Sequence, residues 1–325
     1  MFQVRTDLAV ETRELYKENK QQEIPGVEVE KDQMENEIEV TRVKIIDEQG
    51  SQLMGRAKGS YITVEARGLK NADADLKDSV SKVLAKELAR LLPGKKSINS
   101  LVVGLGNWNV TPDALGPHVI SKILVTRHLF KMYNKTEDST MSSVSAFSPG
   151  VMGTTGIETS DIIKGVVEKS KPDLVLAIDA LASRKMERVS TTIQISTTGI
   201  SPGSGVGNSR KQLDEKTLGI PVVAIGVPTV VDAATMTNDT IGMVVKALKS
   251  HSEKDSQFFK LLDNMKEEEK YELIKEVLEP YGANVIVTTK GIDKIITDIS
   301  QIIANGINIA LHPGIDLKDV NRYLN

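Results

Sequence analysis

The chain has no cysteine among its 325 residues. That absence excludes disulfides, thiolate metal sites and a cysteine nucleophile together. Aromatic residues make up only 4%, too few for the stacking platforms that hold single-stranded nucleic acid. Charge of one sign is missing as well. The 41 basic and 44 acidic residues leave a formal net charge of -3, without the basic excess of a nucleic-acid surface. No run approaches the ~18 apolar residues that mark a membrane span. The start, MFQVRTDLAVETREL, lacks the apolar stretch and small-residue cleavage site of a secretory signal. A cytoplasmic location follows as the expectation, with neither nucleic acid nor membrane as partner. What is present, 40% apolar and 26% charged residues, describes an ordinary globule. The length suits roughly two units of about 150 residues, or one large α/β unit with appendages.

Residues 1–36 carry few apolar side chains, and acids and amides dominate 18–37. So little apolar surface cannot offset the entropy of ordering, and the segment reads as a mobile or surface-draped arm. Polar and apolar residues then alternate over 37–45 and again over 61–66. Period 2 predicts an antiparallel strand pair. Apolar spacing over 76–92, stopped by Pro93-Gly94, predicts a helix. Five short apolar runs follow, at 100–105, 174–178, 221–225, 284–288 and 307–311, with helical patterns at 119–132, 159–169, 239–249 and 290–305. Continuous apolar strands are buried on both faces. The expected fold is therefore α/β: a mostly parallel, doubly wound sheet with helices on both faces, preceded by the arm and the strand pair. Residues 37–325 read as a single domain with a charged helical insertion at about 252–280.

Ligands of such sheets bind beyond the carboxyl ends of the strands. The first run leads into GLGNWNVTPDALGP, the second into Asp179, and a Gly-rich loop at 199–209 follows later. The Gly104/Gly106 pair lacks the third glycine of a dinucleotide fingerprint, and the later loop lacks the Lys of a P-loop. No Gly-x-Ser-x-Gly elbow or His-Glu-x-x-His pair exists, and the four histidines are scattered. Two carboxylates stand out. Asp113 follows Thr111-Pro112 at a predicted helix start, where negative charge is favoured. Asp179 ends an apolar strand. Close carboxylates split their proton affinities into one acid and one base, or they grip a metal that activates water. Sequence leaves both arrangements open. Gly106 and Asn107, or Gly203 and Gly205, could supply backbone N–H groups for an oxyanion. Arg184, Lys185 and Arg188 could receive acidic substrate side chains or serve as solvated surface charge.

GLGNWNVTPDALGP and LVLAIDALASR, together with VRTDLAVE, SPGVMGTTGIET, TTGISPGSGVGN and IGVPTVVDAATM, resemble the germination proteases of spore-forming Firmicutes over essentially the whole chain. The resemblance implies an aspartic-type endopeptidase with Asp113 and Asp179 as its catalytic pair. It implies small acid-soluble spore proteins as substrates, cut early in germination, and a homotetramer working in the forespore and spore core. That family is similar in fold to hydrogenase-maturation endopeptidases, whose Gly-Asn loop and strand-end acid bind a metal. Their histidine ligand has no counterpart here, so no cofactor is expected, and a divalent metal at Asp113 and Asp179 stays open. The family is made as a self-processing zymogen. Its substrates are cut after Glu, before a large apolar residue, with Ala next and Glu two further on. Residues 6–12 follow that order with Asp7 in place of Glu, which implies cleavage between Asp7 and Leu8 and a propeptide of residues 1–7. The alternatives are a metal-dependent hydrogenase-maturation-type peptidase and a non-catalytic α/β ion-binding module.

Overall fold

The computed structural model describes residues 6–20, 22–94, 98–133, 140–203, 211–250 and 285–323, together with 273–274, 276–277 and 280. Its strands are β1 (Val27–Gln33), β2 (Ile38–Ile45), β3 (Gly59–Ala66), β4 (Asn99–Gly104), β5 (Ser143–Phe147), β6 (Leu174–Ser183), β7 (Thr192–Ser196), β8 (Val222–Asp232) and β9 (Ile286–Val287). They form one sheet in the order β1-β2-β3-β7-β8-β6-β4-β5, with β9 beside β8. The half built from β5, β4, β6 and β8 is parallel. The half from β1 to β7 is antiparallel and joins the first through β8. The α/β architecture is as expected, and its antiparallel part extends well beyond the single strand pair.

The helices are α1 (Ala9–Lys20), α2 (Glu48–Met54), α3 (Ala74–Leu91), α4 (Leu115–Ile120), α5 (Arg127–Tyr133), α6 (Met152–Thr155), α7 (Thr159–Ser170), α8 (Glu215–Leu218), α9 (Ala233–Ser250), α10 (Ile292–Leu311) and α11 (Leu317–Tyr323). They cover both faces of the parallel half, which explains why its strands read as unbroken apolar runs. On β6, Leu174, Leu176 and Ile178 face a core shared with α3, α4 and α10. The alternate residues Val175 and Ala177 face a second core shared with α7.

Several expectations need correction. The run at 307–311 is the last part of α10, not a strand. Ile296, Ile299, Ile303 and Ile307 form one buried helical stripe there, and a short apolar run alone does not distinguish helix from strand. At 284–288 only Ile286–Val287 forms a strand, antiparallel to β8. The helix expected over 119–132 is broken in two. Between the halves Leu124 N–H donates to Asn308 Oδ1 and Thr126 N–H to Val144 O, so the backbone bonds outward instead of continuing the helix. The insertion at about 252–280 lies largely outside the described residues.

The largest difference is at the start. The expected arm is a helix and an edge strand instead. Leu8, Ala9 and Val10 are buried, Leu8 and Val10 against Leu181. The acids that made this segment look solvated are paired: Glu14 accepts from Lys185 and Arg188, and Arg188 also donates to Glu65.

Candidate active site

The site starts where β4 ends, beside the middle of β6, which runs on to Ser183 and does not end at Asp179 as its apolar run suggested. Their last parallel pair is Gly104 with Ile178, and Leu105 N–H donates to Ile178 O at 2.8 Å. Asp179 is thus the next residue along β6, only 4% exposed. Past β4 the chain turns sharply at Gly106, where φ is +105°. It returns through a single 3₁₀ turn over Thr111–Asp113, with Pro112 inside it. Asp113 does not cap the following helix as its sequence position suggested. Its Oδ2 reaches back to accept the Asn107 N–H at 2.8 Å. Asp113 and Asp179 line one cleft of about 280 Å³, with Gly106, Gly203, Thr229 and Val151 also on its walls.

Burial pushes the Asp179 carboxyl well above the usual carboxylate range, and the negative charge of Asp113 pushes it the same way. The Ala180 N–H, donated to Asp179 Oδ1 at 2.9 Å, opposes this only in part. Burial also raises Asp113, against the pull of the Asn107 N–H. Two neighbouring acids therefore hold their protons unequally, and Asp179 holds its own the more firmly.

The N-terminal segment runs alongside. Asp7 N–H donates to Ala182 O, and Ala182 N–H donates to Asp7 Oδ2, both at 2.9 Å. Leu8 packs on Leu181, which shares a face of β6 with Asp179 because alternate strand residues point the same way. The negative charge of Asp7 is a further, smaller reason for the raised Asp179. The pair suggested from sequence as an autoprocessing site, Asp7 and Leu8, thus lies along β6 at Leu181 and Ala182, just past Asp179. Glu11 accepts from the N–H groups of Arg184 and Lys185 at 2.7 and 3.1 Å. The basic cluster at 184–188 therefore receives the chain's own acids.

Of the two suggested oxyanion loops, the Asn107 N–H is already committed to Asp113. Gly203 lines the cleft, while Gly205 lies outside the described residues. Among the described residues no group of three or more His, Cys, Asp or Glu converges. His118 stacks on Trp108 at 4.5 Å instead. In the cleft Asp113 and Asp179 each have one oxygen taken by a backbone N–H, and among the described residues no histidine lines it.

Sequence reading missed two neighbours of the N-terminal segment, Gln194 and Arg56. Gln194 Nε2 donates to Asp7 O at 3.0 Å, and its Oε1 accepts the Ala9 N–H at 2.7 Å. Arg56 Nη2 donates to Thr6 O at 3.1 Å. The only available signal was a polar residue between Ile193 and Ile195 in a period-2 pattern.

An α/β protein with two unequal acids in one cleft, one past the end of a parallel strand and one within its neighbour, is the class that fold and site define. The germination protease family model matches residues 5–263 and 249–324. A germination protease of Caldanaerobacter subterraneus subsp. tengcongensis is 57% identical over 99% of this chain and 98% of its own. Those of Clostridium tetani and Clostridium perfringens are 54% and 51% identical, covering at least 99% of each chain. The chain belongs to the germination protease family and is a peptidase. A NiFe hydrogenase maturation protease from Thermococcus kodakarensis KOD1 aligns with 59% of this chain and 99% of its own, at 18% identity and a TM-score of 0.28. No helix among the described residues is long and apolar enough to cross a membrane.

Proposed function

We propose that the chain is an endopeptidase whose catalytic pair is Asp113 and Asp179, made as a zymogen that cuts itself between Asp7 and Leu8. The observation that carries this reading is the raised Asp179 carboxyl in one cleft with Asp113, with the Asp7–Leu8 peptide further along the same strand. Asp113, the more readily ionised acid, takes a proton from water as that water's oxygen attacks the scissile carbonyl. Asp179, protonated, gives its proton to the carbonyl oxygen; as the intermediate collapses, Asp113 passes the proton it took from water to the leaving amine, and Asp179 regains one from a hydroxyl of the intermediate. The C–N bond breaks and one water is consumed. No step runs through a metal.

Membership of the family supports small acid-soluble spore proteins as substrates in the spore core, and an aspartic-type classification. A homotetramer is part of the same proposal. Met243, Val244 and Leu248 stand exposed on α9, apolar surface of the kind that assembly covers. Light scattering on the purified chain checks it.

The decisive test follows the shortened chain and the digestion of spore proteins in Asp113→Asn and Asp179→Asn. Each substitution is expected to slow both reactions at least about a thousandfold, since removing one catalytic group typically costs that much or more. An Asn variant that still processes at the wild-type rate contradicts the assignment.

A further inference from the structure

The sheet register aligns three residues across adjacent strands: Gln194 on β7 pairs with Gly226 on β8, and Gly226 pairs with Asp179 on β6. Directly paired residues project from the same face. Gln194 and Asp179 therefore stand on one face two strand spacings apart, about 10 Å, with a glycine between them. A Cβ at Gly226 would lie 2.4 Å from the Leu181 side chain. The glycine thus makes room for the Leu181 side chain, which lies between Gln194 and Asp179 and lines both the cleft of the two acids and the pocket that holds Gln194.

The N-terminal segment packs on that Leu181 side chain through Leu8 and Val10. The Gln194 carboxamide grips it on both sides of the Asp7–Leu8 bond, donating to Asp7 O and accepting from Ala9 N–H. Gln194 is 7% exposed, so these bonds form where water competes weakly. Asp7 shares a second pocket of about 280 Å³ with Arg56, Tyr61 and Gln194. Arg56 lies over the Tyr61 ring at 6.0 Å and donates to Thr6 O and to Thr12 Oγ1. Its hydrogen bonds in this structure go to neutral groups, and the nearby charges acting on it are those of Asp7 and Glu11.

We infer that Gln194 and Arg56 form the subsite for the residue on the N-terminal side of the cleaved bond, Gln194 gripping its main chain and Arg56 selecting an acidic side chain. The inference rests on cleavage between Asp7 and Leu8. The Asp7 carboxylate accepts from the Ala182 N–H, so Arg56 acts on it through the charge in their shared pocket and not through a hydrogen bond. Acidic peptides acted on in trans would use the same two residues once residues 6–9 leave them. Gln194 touches the carbonyl oxygen of the cleaved bond itself, a main-chain contact that serves every side chain equally, whereas Arg56 discriminates between them.

The test measures, by mass spectrometry, the rate at which the full-length chain yields a product beginning at Leu8. Asp7→Glu is expected to process at least as fast as wild type, and Asp7→Lys at least tenfold slower. Arg56→Glu in the Asp7→Lys chain is expected to restore most of that loss. Gln194→Ala is expected to slow the Asp7 and Asp7→Glu chains by the same factor. Thermal unfolding checks that each variant folds. Should Arg56→Glu not fold, Arg56→Gln serves in its place: the preference for Asp7 over Asp7→Asn must disappear in that background. Asp7→Lys cut as fast as wild type, or a preference for Asp7 that survives loss of the Arg56 charge, overturns the Arg56 assignment. Wild-type processing by Gln194→Ala overturns the grip. A wild-type product that starts elsewhere than Leu8 is a different failure, and it removes the cleavage-site reading beneath both.

Discussion

Gly106 shows how narrowly the site is specified at the scale of single residues. Its φ of +105° suits glycine, and a Cβ there would come within 1.9 Å of Asp113 O. The turn that brings Asp113 back over the end of β4 therefore depends on a missing side chain. Gly106→Ala is expected to cost at least about 2 kcal/mol, from backbone strain and the clash together, and to slow self-processing by displacing Asp113. Chemical denaturation beside a processing assay checks both. Of the residues around the site, Asp113 was legible in sequence because ligands gather past the ends of parallel strands, and Asp179 because it closes an apolar run, although β6 continues to Ser183. Gln194 and Arg56 were not. Neither carries a motif, and their importance comes from sheet register and from a segment far away in the chain.

At the scale of elements, α1 is held by charge as much as by apolar contact. Arg188 bonds Glu14 and Glu65 while only 8% exposed. Despite the opposing effect of burial, the Arg188 and Lys185 side chains hold the Glu14 carboxyl down at about 2. An acid lowered in the folded state stabilises it fully above the ordinary carboxyl range, and that contribution is lost as pH falls from about 4.5 through about 2. Arg188→Ala leaves buried Glu11 and the partly buried Glu14 and Glu65 without their partner and is expected to cost about 3 kcal/mol. Amides of α1 should then exchange hydrogen roughly a hundredfold faster at neutral pH, and the Glu14-dependent loss of protection in acid should vanish. These pairings explain why the first residues resisted reading. Composition counts charges as solvated, whereas here they meet partners more than a hundred residues away. Conversely, 307–311 read as a strand because isoleucine favours strands, and only its continuity with the helical stripe before it reveals α10.

Across the whole molecule, the parallel half of the sheet was the most legible part, because burial on two faces writes itself into unbroken apolar runs. The join to an antiparallel half was hidden. The short strands β5 and β7 give weak signals, and β1 is an exposed edge with few apolar residues. That join matters because it puts Gln194 beside the strand that carries Asp179's neighbour, Gly226. A two-acid mechanism with no metal step makes a prediction for the intact protein: saturating chelator should leave the rate of self-processing unchanged within about twofold. Loss of activity on chelation, restored by a divalent ion, would favour the metal-dependent alternative.

The most direct measurement is a titration of the two aspartate carboxyl carbons by NMR in the unprocessed chain. Asp179 should remain protonated well above the ordinary carboxyl range, at pH values where Asp113 is already ionised. Asp113→Asn should move the Asp179 transition to lower pH, because it removes a neighbouring negative charge. Two independent transitions near pH 4, unaffected by substitution of the partner, would contradict a shared acid pair.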